Sequence, residues 1–366
     1  MIPITRPSLP PLEEYTALLE QIWASRMLSN FATFSQQFEH EAGSYLEVPH
    51  ALAVASCDVG LMVVLRALEL PEGSPCFLSD FTFNSTINAA LWCGLRPILV
   101  DVDPATYNMS PEALGRAMAK ESTSGAVLAT HVFGNPCDEG ALASKASAHG
   151  SYLVFDAAHA YGSLRAGAKV GSSGDAEVFS FSGTKVVTSG EGGLITTRHH
   201  WLAERVRYLR AYGFQGDYRS RRVGINGKMS ELHAALGLLS IRRIEELLAR
   251  RSDLLGVYRE QLGDAVGWQE VSSADRSTYK DLAVDCGPAR AVAEKALDEA
   301  GVQTKRYFVP LHTMGPYARF ADESLPVATA LHERLLCLPL YPDLAESEVE
   351  LVTSTLLAHL DGPPRS

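Results

Sequence analysis

The chain has 366 residues, on length alone enough for about two domains and a large buried core. Its composition, 46% hydrophobic and 20% charged, is that of an ordinary globular protein, and a net charge of −11 argues against a nucleic-acid surface, which needs clustered Lys and Arg. No apolar run approaches the length of a membrane span, and neither the scattered cysteines (57, 76, 93, 137, 286 and 337) nor any His spacing resembles a zinc site, so no metal and no membrane are expected.

Met1-Ile2-Pro3-Ile4-Thr5-Arg6-Pro7 lacks the basic-then-apolar order of a signal peptide, and a cytoplasmic protein with reduced thiols is expected. From residue 50 to about 200, short apolar runs alternate with helical stretches. Strands are expected at Ala51–Ala55, Cys76–Ser79, Pro97–Asp101, Ala126–Thr130, Tyr152–Asp156, Glu177–Phe181 and Leu194–Thr197. Helical patterns lie between several of them, at Val59–Leu68, Pro111–Ala119 and Glu139–His149. Short runs without clean alternation, separated by helices, predict an α/β fold whose strands are buried on both faces of a mostly parallel sheet. Ligands collect at the carboxyl ends of such strands.

A long helical pattern begins near Met229. Leu232, Leu236, Leu239, Ile241, Ile244 and Leu248 fall mostly three to four residues apart, and the helix is expected to run on towards Leu262 as a bridge to a second domain. Beyond it, Thr278–Val284 reads as strand and Ala291–Ala300 as helix, and the Pro363-Pro364-Arg365-Ser366 tail reads as frayed. The division expected is a large domain over residues 1–240, with an N-terminal arm, and a small one over 241–366. The short basic clusters Arg219-Ser220-Arg221-Arg222 and Arg242-Arg243 read as solvated faces or local anion sites.

The chemistry concentrates in two strings. Val178-Phe179-Ser180-Phe181-Ser182-Gly183-Thr184-Lys185 runs from a buried strand into a glycine-rich turn, and Leu153-Val154-Phe155-Asp156-Ala157-Ala158-His159 ends an earlier strand. A lysine after one strand and an aspartate at the end of another suit pyridoxal phosphate. The amine forms the Schiff base, and the carboxylate keeps the pyridine nitrogen protonated. Ser182-Gly183-Thr184-Lys185 also spells the S-x-x-K of acyl-serine enzymes, but that chemistry wants a K-T-G, which the chain lacks.

With Arg6-Pro7-Ser8-Leu9-Pro10, His131-Val132-Phe133-Gly134-Asn135-Pro136, Gly224-Ile225-Asn226-Gly227-Lys228-Met229-Ser230-Glu231 and Cys337-Leu338-Pro339-Leu340-Tyr341-Pro342, these strings resemble the DegT/DnrJ/EryC1/StrS family of sugar aminotransferases across nearly the whole chain. The resemblance implies a fold-type I pyridoxal phosphate enzyme with a mostly parallel seven-stranded sheet and a smaller C-terminal α+β domain. Lys185 matches the Schiff-base lysine and proton carrier, and Asp156 the pyridinium partner. His159 stands where a side chain donates to the ring hydroxyl or lies against the ring. Ser180 matches the phosphate-binding serine and Phe83 the aromatic that stacks on the ring. Asn226 matches an asparagine that reaches the phosphate of the neighbouring subunit's cofactor, which implies a homodimer with shared sites.

Tyr307 and His312, in Arg306-Tyr307-Phe308-Val309-Pro310-Leu311-His312, match the segment at the substrate mouth. The phosphate turn departs from the family pattern. Ser56-Cys57-Asp58 puts an aspartate where threonine is usual, and Asp58 either repels the phosphate or caps the following helix and faces away. Ser29-Asn30-Phe31-Ala32 departs from the usual Asn-Gly-Pro near the entrance. The function implied is amino transfer from glutamate or glutamine to a nucleotide-linked keto sugar, by way of pyridoxamine phosphate. A cyclitol or other antibiotic precursor as substrate, or a non-catalytic scaffold, are the alternatives.

Overall fold

The computed structural model describes residues 1–321 and 323–360; the Pro363–Ser366 tail lies outside them. Two helices, α1 (Leu12–Ser25) and α2 (Thr33–Leu46), precede the sheet. Alternation then sets in with β1 (His50–Val54), α3 (Cys57–Ala67), β2 (Pro75–Ser79), α4 (Asn84–Trp92), β3 (Arg96–Val100) and α5 (Pro111–Met118). It continues through β4 (Ala126–Thr130), α6 (Glu139–Ala148) and β5 (Tyr152–Asp156). A small hairpin, β6 (Leu164–Arg165) and β7 (Ala168–Lys169), leads to β8 (Ala176–Ser180), β9 (Gly193–Thr197) and α7 (His200–Leu209). The seven long strands form one sheet in the order β1-β9-β8-β5-β4-β2-β3, parallel throughout except for β9, which runs antiparallel to both neighbours. β2, β4, β8 and β9 are buried along their whole length, so both faces are covered and the apolar runs need no alternation.

The long helical pattern divides into α8 (Glu231–Ile241) and α9 (Ile244–Leu262). No proline or glycine breaks it. The apolar stripe slips phase between Leu239 and Ile241, and Arg242 and Arg243 are tied to neighbouring segments, Arg242 to Glu41 in a bidentate pair and Arg243 to the Leu9 carbonyl. The first residue of α8 anchors the N-terminal helices. Buried Glu231 accepts the backbone N–H groups of Phe34 (2.6 Å) and Ser35 (3.1 Å), so its carboxylate satisfies the first turn of α2 where a negative charge is favoured.

A smaller antiparallel sheet of β10 (Gly267–Trp268), β11 (Leu282–Asp285) and β12 (Leu335–Leu338) follows, with α10 (Arg290–Glu299), α11 (Pro326–Arg334) and α12 (Glu346–Leu357). Leu254, Tyr258, Val284, Leu336 and Val352 form its separate apolar core, which Ile2 joins from the start of the chain. The strand expected from Thr278 begins only at Leu282. Tyr279 takes a left-handed φ of 46°, and the buried Arg251 guanidinium donates to the carbonyls of Thr278, Tyr279 and Lys280, taking them out of any ladder.

This C-terminal part rests on the carboxyl ends of the large sheet through two buried carboxylates. Asp80, after β2, accepts from His312. Asp101, after β3, accepts the N–H groups of Val327 (3.1 Å) and Ala328 (3.0 Å) in the first turn of α11. No helix among the described residues is long and apolar enough to cross a membrane.

Candidate active site

A cavity of about 250 Å³ opens at the carboxyl ends of the parallel strands, and Lys185, Asp156, His159, Cys57, Asp58, Phe83, Ser180 and Tyr307 all line it. The loop that carries Lys185 closes on one carbonyl. Phe181 O accepts from Ser189 N (2.8 Å), Thr188 Oγ1 (3.2 Å) and Ser189 Oγ (3.3 Å), while Phe181 N–H donates to Gly192 O (2.9 Å). Those bonds end β8 at Ser180, one residue short of the expected Phe181. Beneath the loop, the Phe181 ring packs edge-on against Phe38 of α2 (5.2 Å between centroids) and Tyr161 (5.1 Å). Lys185 is half-buried in the wall. Loss of solvent, with the second ammonium of Lys280 in the same cavity, lowers its pKa from 10.5 to about 8. The amine is therefore partly neutral, and nucleophilic, near physiological pH.

Asp156 closes β5 and is buried. Its Oδ2 accepts from Thr86 Oγ1 (2.8 Å) and its Oδ1 from Ala158 N–H (3.1 Å). Thr86 Oγ1 lies 2.9 Å from Thr82 Oγ1, itself 2.8 Å from Thr130 Oγ1. Each hydroxyl has one proton, and that of Thr86 goes to the carboxylate. Thr82 must then donate to Thr86, and Thr130 to Thr82, so the relay has one sense and ends on Asp156. Burial raises the Asp156 pKa, against the pull of the Thr86 and Ala158 hydrogen bonds and of Lys185. A protonated ring nitrogen set against this carboxylate would supply the counter-charge that burial makes costly to lack.

His159 lies nearly parallel to the rings of Phe133 (centroids 6.4 Å apart) and Phe308 (6.0 Å). Its Nδ1 is buried without a partner. Burial, then the nearby ammonium groups of Lys185 and Lys280, hold its pKa well below the ordinary value, so the imidazole is neutral. Phe83, the residue before α4, is 54% exposed on the cavity wall, an uncovered aromatic face directly opposite in kind to the buried Phe81 beside it.

The phosphate turn has its own arrangement. Ser56, in extended conformation, is the N-cap of α3, its Oγ accepting Val59 N–H at 3.2 Å. Asp58 is already the second helical residue, so the cap expected of it belongs to Ser56, and the aspartate stands exposed on the cavity rim. The N–H groups of Cys57 and Asp58, in the first turn, have no intrahelical acceptor. Gly193 makes the close approach possible: a Cβ there would lie 2.7 Å from the Ser56 carbonyl carbon and 2.8 Å from Cys57 N. Ser180 adds a hydroxyl, 3.5 Å from Ser182 N, and Ser182 and Thr184 line the same end.

One expected residue lies elsewhere. His312 is not part of the cavity wall; its Nδ1 is 2.6 Å from Asp80 Oδ2, its N–H donates to Asp80 Oδ1 (2.9 Å), and its Nε2 lies 3.3 Å from Thr329 Oγ1. The ring pins the C-terminal segment to β2, and Tyr307 and Phe308 are the residues of that segment that line the cavity. Asn226 is exposed, in an isolated bridge with Ala211, and does not line this chain's cavity. Thr82, Thr86, Thr130, Phe308 and Lys280 were not anticipated. For Thr86 a signal existed, three residues beyond Phe83 and hence in the first turn of α4. Lys280 had none, because only the packing of the C-terminal segment brings it to Lys185.

The sequence pattern of the DegT/DnrJ/EryC1/StrS aminotransferase family matches residues 12–357. The chain belongs to this family. The GDP-perosamine synthase of Caulobacter vibrioides is 32% identical over 338 residues, spanning 90% of this chain and 91% of that protein. The dTDP-4-amino-4,6-dideoxy-D-glucose transaminase of Escherichia coli is 30% identical over 370 residues, 98% and 99% of the two chains. Among solved structures, DesI in the presence of its TDP-sugar product superposes with a TM-score of 0.91 at 32% identity, covering 97% of this chain and 92% of that one. The DegT-family chain is thus an aminotransferase of the sugar aminotransferase family, and that family uses pyridoxal 5′-phosphate. The cavity fits the cofactor: an uncovered phenylalanine face, an orphaned histidine nitrogen, a buried carboxylate short of a counter-charge, and a helix N-terminus that only glycine at 193 leaves open. Asp58 alone runs against it.

Proposed function

We propose that this chain transfers an amino group from L-glutamate or L-glutamine to the ketone of a nucleotide-linked deoxysugar, as a homodimer with shared sites. One observation carries the reading: a lysine of lowered pKa shares a cavity with a buried, hydrogen-bonded carboxylate, in a chain whose relatives make GDP- and dTDP-linked amino sugars. The uncovered Phe83 face and neutral His159 suit the two faces of a pyridine ring, and Asp156, oriented by Thr86, suits its nitrogen. Ser180 and the first-turn amides of α3 suit its phosphate, with Asn226 of each chain reaching the other's site. Bound pyridoxal phosphate supplies an electron-withdrawing ring that accepts the electron pair released at the donor's α-carbon.

Lys185 takes the proton lost from that carbon and later returns one to the sugar carbon, roles that require an amine able to change charge near neutral pH. Tyr307 and the C-terminal segment close the mouth. Residues 1–240 carry the cofactor and 241–366 the smaller domain, apart from Ile2, which packs with the latter.

The test is the visible spectrum of the protein with pyridoxal phosphate, before and after L-glutamate, beside Lys185→Ala. The reading requires a cofactor band that depends on Lys185 and that glutamate converts. A band that neither glutamate nor glutamine alters would exclude both donors.

A further inference from the structure

Beyond its electrostatic effect on Lys185 and His159, Lys280 has no role above, yet its side chain is only 5% exposed and lines the same cavity as Lys185. A buried ammonium is costly unless it is paired and hydrogen-bonded. Its Nζ lies 2.8 Å from Asp281 Oδ1 and 6.0 Å from the centre of the Tyr307 ring. An ammonium has three N–H donors, and among the described residues Asp281 is the sole hydrogen-bond partner of this one. The pair is unfinished on its other side as well, since Asp281 Oδ2 is buried without a partner. Backbone bonds fix where the lysine sits: Lys280 N–H donates to Phe133 O (2.9 Å), and its carbonyl accepts from buried Arg251.

The reaction places an anion here. The α-carboxylate of an amino-acid donor is one bond from the carbon that reacts, so it must lodge within the cavity, beside Lys185. The diphosphate of a nucleotide sugar is several bonds from the ketone, and so lies further from Lys185 than that carboxylate does. Among the described residues, Lys185 and Lys280 are the only Lys or Arg lining the cavity, and the first is committed to chemistry. The same space must afterwards accept an uncharged sugar ring, against which a lone buried ammonium would be a penalty.

Resting on the functional reading above, we propose that Lys280 binds the α-carboxylate of the amino donor, and that Asp281 is the counter-ion that holds the ammonium when the sugar occupies the cavity. Lys280 contributes to the lowering of the Lys185 and His159 pKa values, which places its side chain close to both.

Steady-state rates with donor and sugar varied separately test the assignment, with Lys280→Met, Lys280→Arg and Asp281→Asn beside the unaltered enzyme. Lys280→Met is expected to raise the donor KM about 30-fold, as loss of a charge-assisted contact does, with the sugar KM unchanged. Lys280→Arg restores part of the donor affinity. Asp281→Asn leaves the donor KM equal or lower and raises the sugar KM. The unaltered enzyme prefers glutamate over 4-aminobutyrate, which lacks the α-carboxylate, and Lys280→Met abolishes that preference. A donor KM unmoved by Lys280→Met overturns the proposal, and so does a rise confined to the sugar KM, which would make Lys280 a contact of the nucleotide diphosphate. Should Lys280→Met not fold, an unchanged sugar KM in Asp281→Asn with a raised donor KM overturns it equally. If the unaltered enzyme transfers no amine at all, the functional reading has failed rather than this one.

Discussion

The lowered pKa of Lys185 has a consequence that can be measured without substrate. With a pKa of about 8 rather than 10.5, roughly a quarter of the amine is neutral at about pH 7.5, against ~0.1% for an unperturbed lysine. The nucleophilic population is thus on the order of 200-fold larger. In cofactor-free protein, brief acylation at a series of pH values, read by mass spectrometry at Lys185 and at surface lysines of the same sample, should give a midpoint near pH 8 for Lys185 alone. The same depression is a stability cost. Between the folded and the unfolded pKa the folded chain binds fewer protons than the unfolded one, so stability rises with pH through that window, and the full cost is borne below it. Lys185→Met, which keeps the packing and removes the charge, should therefore stabilise the cofactor-free protein near neutral pH by at most ~3 kcal/mol, the difference between pKa 10.5 and about 8. That gain should shrink as the pH approaches the unfolded value. A labelling midpoint at or above pH 10, or a Met variant no more stable than its parent at pH 7, would refute the reasoning.

Thr86→Val removes the relay's bond to Asp156; a lost hydrogen bond to a charged group costs about 1–3 kcal/mol, so cofactor affinity should fall some 5- to 150-fold by titration. Because burial already raises the Asp156 pKa, the cofactor-free protein loses stability as pH rises through that group, and Thr86→Val should widen its melting-temperature deficit from about pH 4 to neutrality. Asp58→Thr takes a carboxylate from the rim of the phosphate turn and should tighten pyridoxal phosphate binding about fivefold, a screened exposed charge being worth roughly 1 kcal/mol; equal or weaker binding would show that Asp58 does not face the phosphate. Gly193→Ala drives a methyl group into the Ser56–Cys57 backbone, and calorimetry with and without cofactor should show the larger loss in the cofactor's stabilising effect.

Much of the sheet was legible because its strands are buried on both faces, so a short apolar run between helices has no other place to go. The misreadings at strand ends have local causes: β8 stops at Ser180 because the Phe181 carbonyl is taken by Thr188 and Ser189. The kink between α8 and α9 was visible only as a two-residue step in an apolar stripe. Thr278 and Lys280 looked like strand because the guanidinium that diverts their carbonyls comes from Arg251, far away in sequence. Helix α2 depends likewise on Glu231, 197 residues from Phe34.

At the site, Lys185, Asp156, His159, Phe83 and Ser180 stand at strand ends or just beyond them, where local pattern places them. The threonine relay, the His312–Asp80 pin and Lys280 exist only through tertiary packing. The misplaced cap had a simpler origin, since Ser56 and Asp58 are both good capping residues and only the start of the helix decides between them.

The most direct test of the central claim is a complete turnover with nitrogen-15-labelled L-glutamate or L-glutamine and a panel of GDP- and dTDP-linked keto sugars, followed by mass spectrometry of the nucleotide sugar. One labelled nitrogen in the product and a matching amount of the donor's keto acid are expected, and neither with Lys185→Ala. Unlabelled sugar across the panel, from protein that binds its cofactor through Lys185, would contradict that claim.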